Sequence, residues 1–184
     1  MPPLQPCRVV TLIDRSYWAR LTDAHDAPSE RVWGVAYRIP PAHVAEVKDY
    51  LDIREINGYS IHFAPFCPAD GSRHIRTLVY IGTPDNDQFV GPQDPDDLAR
   101  HILVSHGPSG LNKDYLYNLE KALDELSPHS GDAHVSDLAR RVRALESKLG
   151  PQDTASKEQS AHPSPQHGFQ RQTSTTEAEE IEKA

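Results

Sequence analysis

The strongest constraint on the fold is a pair of apolar stripes at helical spacing in the second half of the chain. Residues three or four positions apart share one face of an α-helix. The stripes consist of Leu116, Leu119, Leu123 and Leu126, and of Val135, Leu138, Val142, Leu145 and Leu149. Because each apolar face must be covered by another element, they predict two helices that pack together. Pro128 separates the two helices, and Gly150-Pro151 ends the second one.

Strand patterns fill the first half of the chain, with one helix between them. Four runs rich in β-branched and aromatic residues predict strands. These runs are residues 8–13, 32–39, 59–66 and 75–82. A short loop joins the last two, which predicts an antiparallel hairpin. Pro40-Pro41 opens the intervening helix, and Asp94-Pro95 starts a further helix that reaches about Ser105. Strands with an inserted helix, followed by a helical half, indicate an α+β domain.

The composition excludes several classes of protein. The chain of 184 residues has a net charge of −8 and no basic cluster, so we do not expect it to bind nucleic acid. No stretch approaches the roughly 20 apolar residues of a membrane span, and residues 1–6 lack the apolar run of a secretory signal. Cys7 and Cys67 could form a disulfide, but free thiols in a reducing compartment are the better interpretation. We therefore expect a cytoplasmic protein.

The ten histidines do not follow a metal-binding spacing. No His-x-x-x-His or Cys-x-x-Cys pair occurs, and His101 and His106 are five residues apart, which is poor for one helical face. We interpret the histidines as surface residues rather than metal ligands. The sequence also contains no Gly-x-Ser-x-Gly, phosphate-binding P-loop or dinucleotide-binding motif. We predict neither a metal nor an organic cofactor.

One carboxylate stands at the end of an apolar helical stripe. Apolar residues from Val44 to Leu51 share a face, and Glu55 follows Leu51 by four residues on that face. Gly58 then provides a left-handed cap that ends the helix. Burial of a lone carboxylate raises its pKa, as a general base working near neutral pH requires. The alternative is that the last turn frays and Glu55 lies in solvent or pairs with Arg54.

The connector at 107–110, Gly-Pro-Ser-Gly, precedes the first of the two stripe-bearing helices. Its backbone N–H groups could bind a carboxylate at the helix N-terminus. Helix-to-helix connectors commonly have this composition as well, so both interpretations stay open. Tyr115, one turn into the helix, either belongs to the core or directs its hydroxyl into a cleft.

Five short blocks follow one another along the chain. They are Arg8-Val9-Val10-Thr11-Leu12, Val32-Trp33-Gly34-Val35-Ala36-Tyr37-Arg38, Tyr50-Leu51-Asp52-x-Arg54-Glu55-x-x-Gly58-Tyr59, Tyr80-Ile81-Gly82-Thr83 and Gly107-Pro108-Ser109-Gly110-x-Asn112-x-x-Tyr115-Leu116. Together they resemble the ChaC-type glutathione-specific γ-glutamylcyclotransferases over residues 8–145. In that family the glutamate of the third block is the catalytic acid/base, and it matches Glu55. The resemblance further implies that Tyr59, Gly110, Asn112 and Tyr115 bind the substrate.

The resemblance implies a fold and a reaction as well. We expect a small γ-glutamylcyclotransferase-like mixed β-sheet or barrel with a helical C-terminal half at residues 8–149. The α-amino group of the γ-glutamyl unit of glutathione attacks its own γ-carbonyl, and 5-oxoproline and cysteinylglycine are released without a cofactor. Residues 150–184 are rich in Gln, Ser, Thr, Pro and Glu. They cannot bury enough apolar surface to fold, so we predict a disordered tail.

The sequence departs from the family pattern in two places. Ile56 stands where the family often has a basic residue, and we expect this change to be tolerated. Family members also begin with a strand and a Tyr-Gly-Ser-Leu loop that cradles the γ-glutamyl group, a motif that the sequence lacks. We therefore expect an N-terminally incomplete domain that lacks the first strand. The alternative function is a catalytically impaired paralogue that binds a γ-glutamyl compound or a protein partner.

Overall fold

Strands and short helices in the first half of the chain are followed by a mostly helical second half. The structure, a computed structural model, describes residues 6–22, 24–25, 31–55 and 58–149. The first half contains helix α1 (Arg15–Trp18), a 3₁₀ turn (Pro41–His43), helix α2 (Val44–Arg54) and strands β1 (Ser60–Phe66) and β2 (Ile75–Ile81). The second half contains helix α3 (Pro95–Val104), strands β3 (His106–Gly107) and β4 (Gly110–Leu111), and helices α4 (Asn112–Leu126) and α5 (Ala133–Leu149). This order confirms the predicted α+β class.

Helices α3, α4 and α5 enclose the apolar core. Its buried members are Ala99, Ile102, Leu116, Val135, Leu138, Ala139 and Val142. Full burial of one Val or Leu side chain contributes about 1.5–3 kcal/mol, so this cluster is what holds the three helices together. The two predicted stripes therefore pack against each other. They extend less far than predicted, because Leu126 is 39% and Leu149 51% exposed near the ends of α4 and α5.

Two antiparallel hairpins account for the strands. Strands β1 and β2 pair in a register that places Ser60 opposite Ile81 and Phe66 opposite Ile75, which confirms the predicted hairpin. Strands β3 and β4 form a smaller hairpin in which Gly107 lies opposite Gly110. Gly110 has a φ of +113°, a conformation that strains any residue with a side chain. The connector at 107–110 is thus a tight chain reversal that leads directly into α4.

Two segments predicted as strands, 8–13 and 32–39, are not strands in the structure. Neither joins a strand ladder within the described ranges. Backbone groups of the first segment bond to side chains instead, as Arg8 does with Asn112. The second segment leaves apolar side chains exposed, with Tyr37 84% exposed. The alternating pattern predicts extended backbone, but a strand also requires a neighbour whose backbone groups pair with its own.

Both cysteines, Cys7 and Cys67, are free thiols, as predicted. Within the described ranges no helix has the length and apolar character needed to cross a membrane. Residues 150–184, for which we predict a disordered tail, lie outside the described residues.

Candidate active site

Glu55 lies at the C-terminal end of α2, where the helical spacing predicts it. Its backbone N–H donates to the carbonyl of Leu51 at 2.8 Å, so Glu55 caps the last turn. Its side chain is 24% exposed, and Oε1 lies 3.7 Å from Nε of Arg54. The carboxylate is thus partly sheltered and paired with its neighbour, as the alternative interpretation anticipates. It also stays open to a small molecule.

The apolar stripe of α2 is less covered than predicted. No residue of α2 is fully buried, and Val44 is 49% exposed. Val47 and Leu51 are half-buried. Helical spacing fixes which residues share a face of α2, but it does not fix what covers that face.

A hydrogen bond joins the end of α2 to β2. The hydroxyl of Tyr80 donates to Oδ1 of Asp52 at 3.2 Å, and Lys48 forms an ion pair with the same carboxylate. The hydrogen bond from Lys48 lowers the pKa of Asp52. Asp52 lies three residues before Glu55, so this contact fixes the turn that carries Glu55. The Lys48–Asp52 spacing of four residues predicts the ion pair. Tyr80 belongs to the fourth sequence block, but no spacing rule relates it to Asp52.

Tyr59 and Gly82 form a second side of the site. A Cβ atom built on Gly82 would lie 3.4 Å from ring carbon Cε1 of Tyr59 and 3.5 Å from Oγ1 of Thr11. The backbone N–H of Gly82 donates to Oγ1 of Thr11 at 2.9 Å. The tyrosine ring and the threonine thus lie beside Gly82 just after the end of β2, at a distance that would leave room for a methyl group. Sequence analysis did not single out Thr11 or Gly82 as site residues.

Tyr115 faces the same region from α4. It is 38% exposed, and its hydroxyl oxygen accepts the backbone N–H of Val10 at 3.2 Å. A phenol that accepts this hydrogen bond retains its own proton for another acceptor. Burial raises the pKa of Tyr59, and the charges of Glu55 and Tyr115 raise it further. Val10 and Thr11 are adjacent in the chain; Val10 contacts Tyr115, and Thr11 contacts Gly82 beside the ring of Tyr59, so the structure brings the two tyrosines to one region. Glu55 precedes Tyr59 by four residues at the end of α2.

The other two predicted site residues lie beside the start of α4. Asn112 is 2% exposed, and its Oδ1 and Nδ2 pair with the backbone N–H and C=O of Arg8, both at 2.7 Å. Both polar atoms of the amide are thus occupied by Arg8. At Gly110, no atom lies within 4 Å of a Cβ built on the backbone. The roles of both residues in substrate binding stay predictions.

Two cavities adjoin these residues. One of about 90 Å³ separates residues 8–10 from α3, α4 and α5, and Asn112 and Tyr115 contribute to its lining. A larger one of about 360 Å³ is lined by Gly58, Ser60, Thr83 and residues 85–88. The larger cavity begins three residues beyond Glu55, but neither Glu55 nor Tyr115 lines it. We therefore locate the candidate site by its titratable groups rather than by cavity size.

The grouped side chains can perform acid–base chemistry. Glu55 can accept and return a proton, and the two phenols can donate hydrogen bonds to a developing negative charge. Within the described ranges no group of three or more His, Cys, Asp or Glu side chains could hold a metal ion.

An α+β fold with a carboxylate and two tyrosines at one site is compatible with an acid–base enzyme, and comparison with known proteins gives the family. Residues 2–145 match the profile of the family described as ChaC-like protein. The chain belongs to this family. The resemblance of the five sequence blocks is thereby confirmed.

Individual relatives agree with this assignment. The glutathione-specific γ-glutamylcyclotransferase of Schizosaccharomyces pombe is 39% identical over 142 residues, which cover 75% of this chain and 70% of the relative. The Saccharomyces cerevisiae protein of the same name is 43% identical over 125 residues, which cover 56% of this chain and 54% of the relative. Glutathione-specific γ-glutamylcyclotransferase 1 of Homo sapiens is 30% identical over 143 residues, which cover 76% of this chain and 59% of the relative.

A solved structure supports the fold. The crystal structure of the selenomethionine-labelled yeast γ-glutamyl cyclotransferase specific to glutathione aligns with a TM-score of 0.51 at 39% identity. The alignment covers 58% of this chain and 56% of that chain. Across these comparisons the matched region spans from 54% to 70% of the length of the curated relatives.

Proposed function

We propose that the protein is a glutathione-specific γ-glutamylcyclotransferase that converts glutathione to 5-oxoproline and cysteinylglycine, with Glu55 as general acid/base. The observation that carries the proposal is the position of Glu55. The family's catalytic glutamate matches this residue, and the residue lies at the end of α2, where its charge adds to the effect of burial in raising the pKa of Tyr59. The names of the relatives support glutathione as the substrate.

The proposed reaction is an internal displacement. Glu55 removes a proton from the α-ammonium of the γ-glutamyl unit. The free amine attacks the γ-carbonyl carbon, and the new C–N bond closes a five-membered ring. The ring nitrogen then releases a second proton, which the leaving amine takes up as it becomes an ammonium, and the bond to the cysteine nitrogen breaks. Glu55 then returns the proton to the leaving amine, so the reaction consumes neither water nor a cofactor. Because the nucleophile belongs to the substrate itself, the protein has to hold the bent conformer and move the proton.

The two phenols suit the charge that develops during this reaction. Burial raises the pKa of Tyr59 from its ordinary value, which is already far above neutral pH, so the hydroxyl is protonated and is a hydrogen-bond donor. Tyr115 accepts from Val10 and has its own proton available. We assign these hydroxyls to the oxygen of the tetrahedral intermediate or to the γ-glutamyl carboxylate. Gly110 lies in β4, two residues before α4, and we keep it with Asn112 among the substrate-binding candidates.

We place this activity in the cytoplasm and in the domain at residues 8–149. Free thiols at Cys7 and Cys67 are compatible with a reducing compartment, where glutathione is abundant in its reduced form.

Product analysis tests the proposal. Purified protein incubated with glutathione should release 5-oxoproline and cysteinylglycine in equal amounts, and it should release much less 5-oxoproline from γ-glutamylalanine. Glutamate in place of 5-oxoproline would indicate hydrolysis and contradict the cyclisation. Equal rates with both substrates would leave a cyclotransferase but remove its specificity for glutathione.

A second candidate is a protein that binds γ-glutamyl compounds or a protein partner without turnover. The favouring observation is the exposure of large apolar side chains, such as Tyr37 at 84% and Phe63 at 57%. Calorimetry with glutathione distinguishes the two functions. Saturable binding of unchanged glutathione with no product over hours would favour the binding protein, whereas product formation would favour the enzyme.

A further inference from the structure

A buried amide takes the place of a strand neighbour for the segment at residues 6–11, called here the anchored segment. Asn112 accepts the N–H of Arg8 and donates to the C=O of Arg8, both at 2.7 Å. One side chain thus supplies the pair of hydrogen bonds that a neighbouring strand would supply. Because Asn112 is 2% exposed, water cannot readily replace either bond, and their loss would leave buried polar groups unpaired.

The anchored segment continues from Arg8 into the candidate site. In an extended backbone, residues two positions apart present their N–H and C=O groups to the same side. The N–H of Val10 accordingly points toward α4 as Arg8 does, and it donates to the hydroxyl of Tyr115 at 3.2 Å. Asn112 and Tyr115 are three residues apart and share a face of α4. The same helix face therefore binds the segment twice.

The next residue connects the segment to the other phenol. Thr11 Oγ1 accepts the N–H of Gly82 at 2.9 Å, and a Cβ on Gly82 would lie 3.4 Å from the Tyr59 ring. Val10 thus contacts Tyr115, and Thr11 contacts Gly82 beside Tyr59. At its outer end the segment is held separately, since Nε2 of His101 donates to the carbonyl of Pro6 at 2.7 Å.

We propose that Asn112 is a positioning residue: by clamping Arg8 it holds the Val10 N–H on the Tyr115 hydroxyl, which turns the phenol proton toward the bound substrate. The kinetic part of this inference rests on the proposed function. The structural part does not, because the path from Asn112 through Arg8 and Val10 to Tyr115 exists without substrate. Asn112 then contributes to turnover through Tyr115 rather than by contact with the reacting atoms.

Four variants separate positioning from general stability. Asn112→Ala removes both hydrogen bonds to Arg8. Asn112→Asp keeps the size and the acceptor oxygen but loses the N–H donor. The aspartate variant allows the test to be made if the alanine variant does not fold. Tyr115→Phe removes only the hydroxyl. Ser130→Ala is the matched control, because Ser130 is 3% exposed and its hydroxyl bonds to the Ser127 carbonyl at 2.7 Å, far along the chain from the anchored segment.

Backbone amide exchange at Val10, followed by NMR, is the measurement that does not depend on activity. It should become faster in the Asn112 variants and in Tyr115→Phe, and stay unchanged in Ser130→Ala even where that variant melts at a lower temperature. Unchanged exchange at Val10 in both Asn112 variants would overturn the inference, whatever the enzyme assay shows. Absence of turnover by the wild type would count against the proposed function alone.

Kinetics test the same path in the active protein. Asn112→Asp and Tyr115→Phe should each lower kcat/KM about tenfold, the effect of one net hydrogen bond. The double variant Asn112→Asp/Tyr115→Phe should be no slower than the slower single variant, because both changes interrupt one path. If the double variant instead lowered kcat/KM about a hundredfold, the product of the two single effects, the two residues would act independently. That result would overturn the positioning role.

Discussion

The substitution Glu146→Gln tests how one half-buried charge joins α4 to α5. Glu146 on α5 accepts Nζ of Lys113 at 2.8 Å and the hydroxyl of Tyr117 at 2.6 Å, both from α4. Hydrogen bonds to a charged group contribute about 1.5–3 kcal/mol each. Glutamine keeps the size and one acceptor but removes the charge. The Glu146 side chain is 27% exposed. Solvent therefore screens part of the interaction, and we expect a loss of about 1–2 kcal/mol in the free energy of unfolding.

Thermal denaturation followed by circular dichroism measures this loss. At about 2–4 °C per kcal/mol for a chain of this size, the Tm should fall by about 2–8 °C near neutral pH. The matched control is Glu125→Gln, because Glu125 pairs with Lys121 at 3.8 Å in a contact whose side chains are 65% and 70% exposed. An exposed pair of this kind contributes little, so the control should melt like the wild type.

The dependence on pH provides the refuting result. Burial alone would raise the pKa of Glu146, but hydrogen bonds from Lys113 and Tyr117 outweigh it and hold the pKa below its ordinary value of 4.5. A carboxylate with a lowered folded-state pKa stabilises the fold above its unfolded pKa and loses that contribution as the pH falls. The difference in Tm between the wild type and Glu146→Gln should therefore be largest near neutral pH and should become smaller below about pH 4.5. No difference near neutral pH, or one that persists unchanged at about pH 3, would refute the reasoning.

Three further predictions concern packing, the predicted tail and the site. Gly107→Ala should lower the Tm, because its Cβ would lie 3.0 Å from Sγ of Cys7. The double variant Cys7→Ala/Gly107→Ala should recover most of the loss, and failure to recover would place the strain elsewhere. Deletion of residues 152–184 should change the Tm by no more than about 2 °C, since an unpacked tail contributes no burial. Tyr80→Phe should reduce glutathione turnover with little change in melting, because it removes the hydrogen bond that ties Asp52 of α2 to β2. An unchanged turnover would show that this contact does not position Glu55.

The elements that depend on local signals were predictable from the sequence. The cap at Asp94, whose side chain accepts the N–H groups of Asp96 and Asp97 at 2.9 and 3.0 Å, starts α3 as the Asp-Pro pair predicts. The apolar stripes fix which faces of α4 and α5 meet, because helical spacing alone decides which residues share a face. The hairpin of β1 and β2 follows from two short strand patterns and the loop between them.

The remaining features depend on partners that are distant in the sequence. The pattern at residues 8–13 predicts a strand, but the structure pairs Arg8 with Asn112, 104 residues away, through a side chain. No spacing rule relates those positions. The same holds for Tyr80 and Asp52, and for the approach of Tyr59 to Gly82. Helical spacing predicted that Glu55 lies at the end of its helix, whereas the residues around Glu55 could be identified only from the structure.

Turnover of glutathione by Glu55→Gln tests the central claim most directly. Glutamine keeps the shape and hydrogen-bonding atoms of the side chain but cannot accept the ammonium proton, so 5-oxoproline production should fall by about 10²-fold or more. Glu46→Gln is the matched control, because Glu46 lies on the same helix with its side chain 78% exposed, and it should turn over like the wild type. Both variants should melt like the wild type. A fall of that size in Glu55→Gln alone is the result that we predict, and turnover near the wild-type rate in that variant would contradict the account.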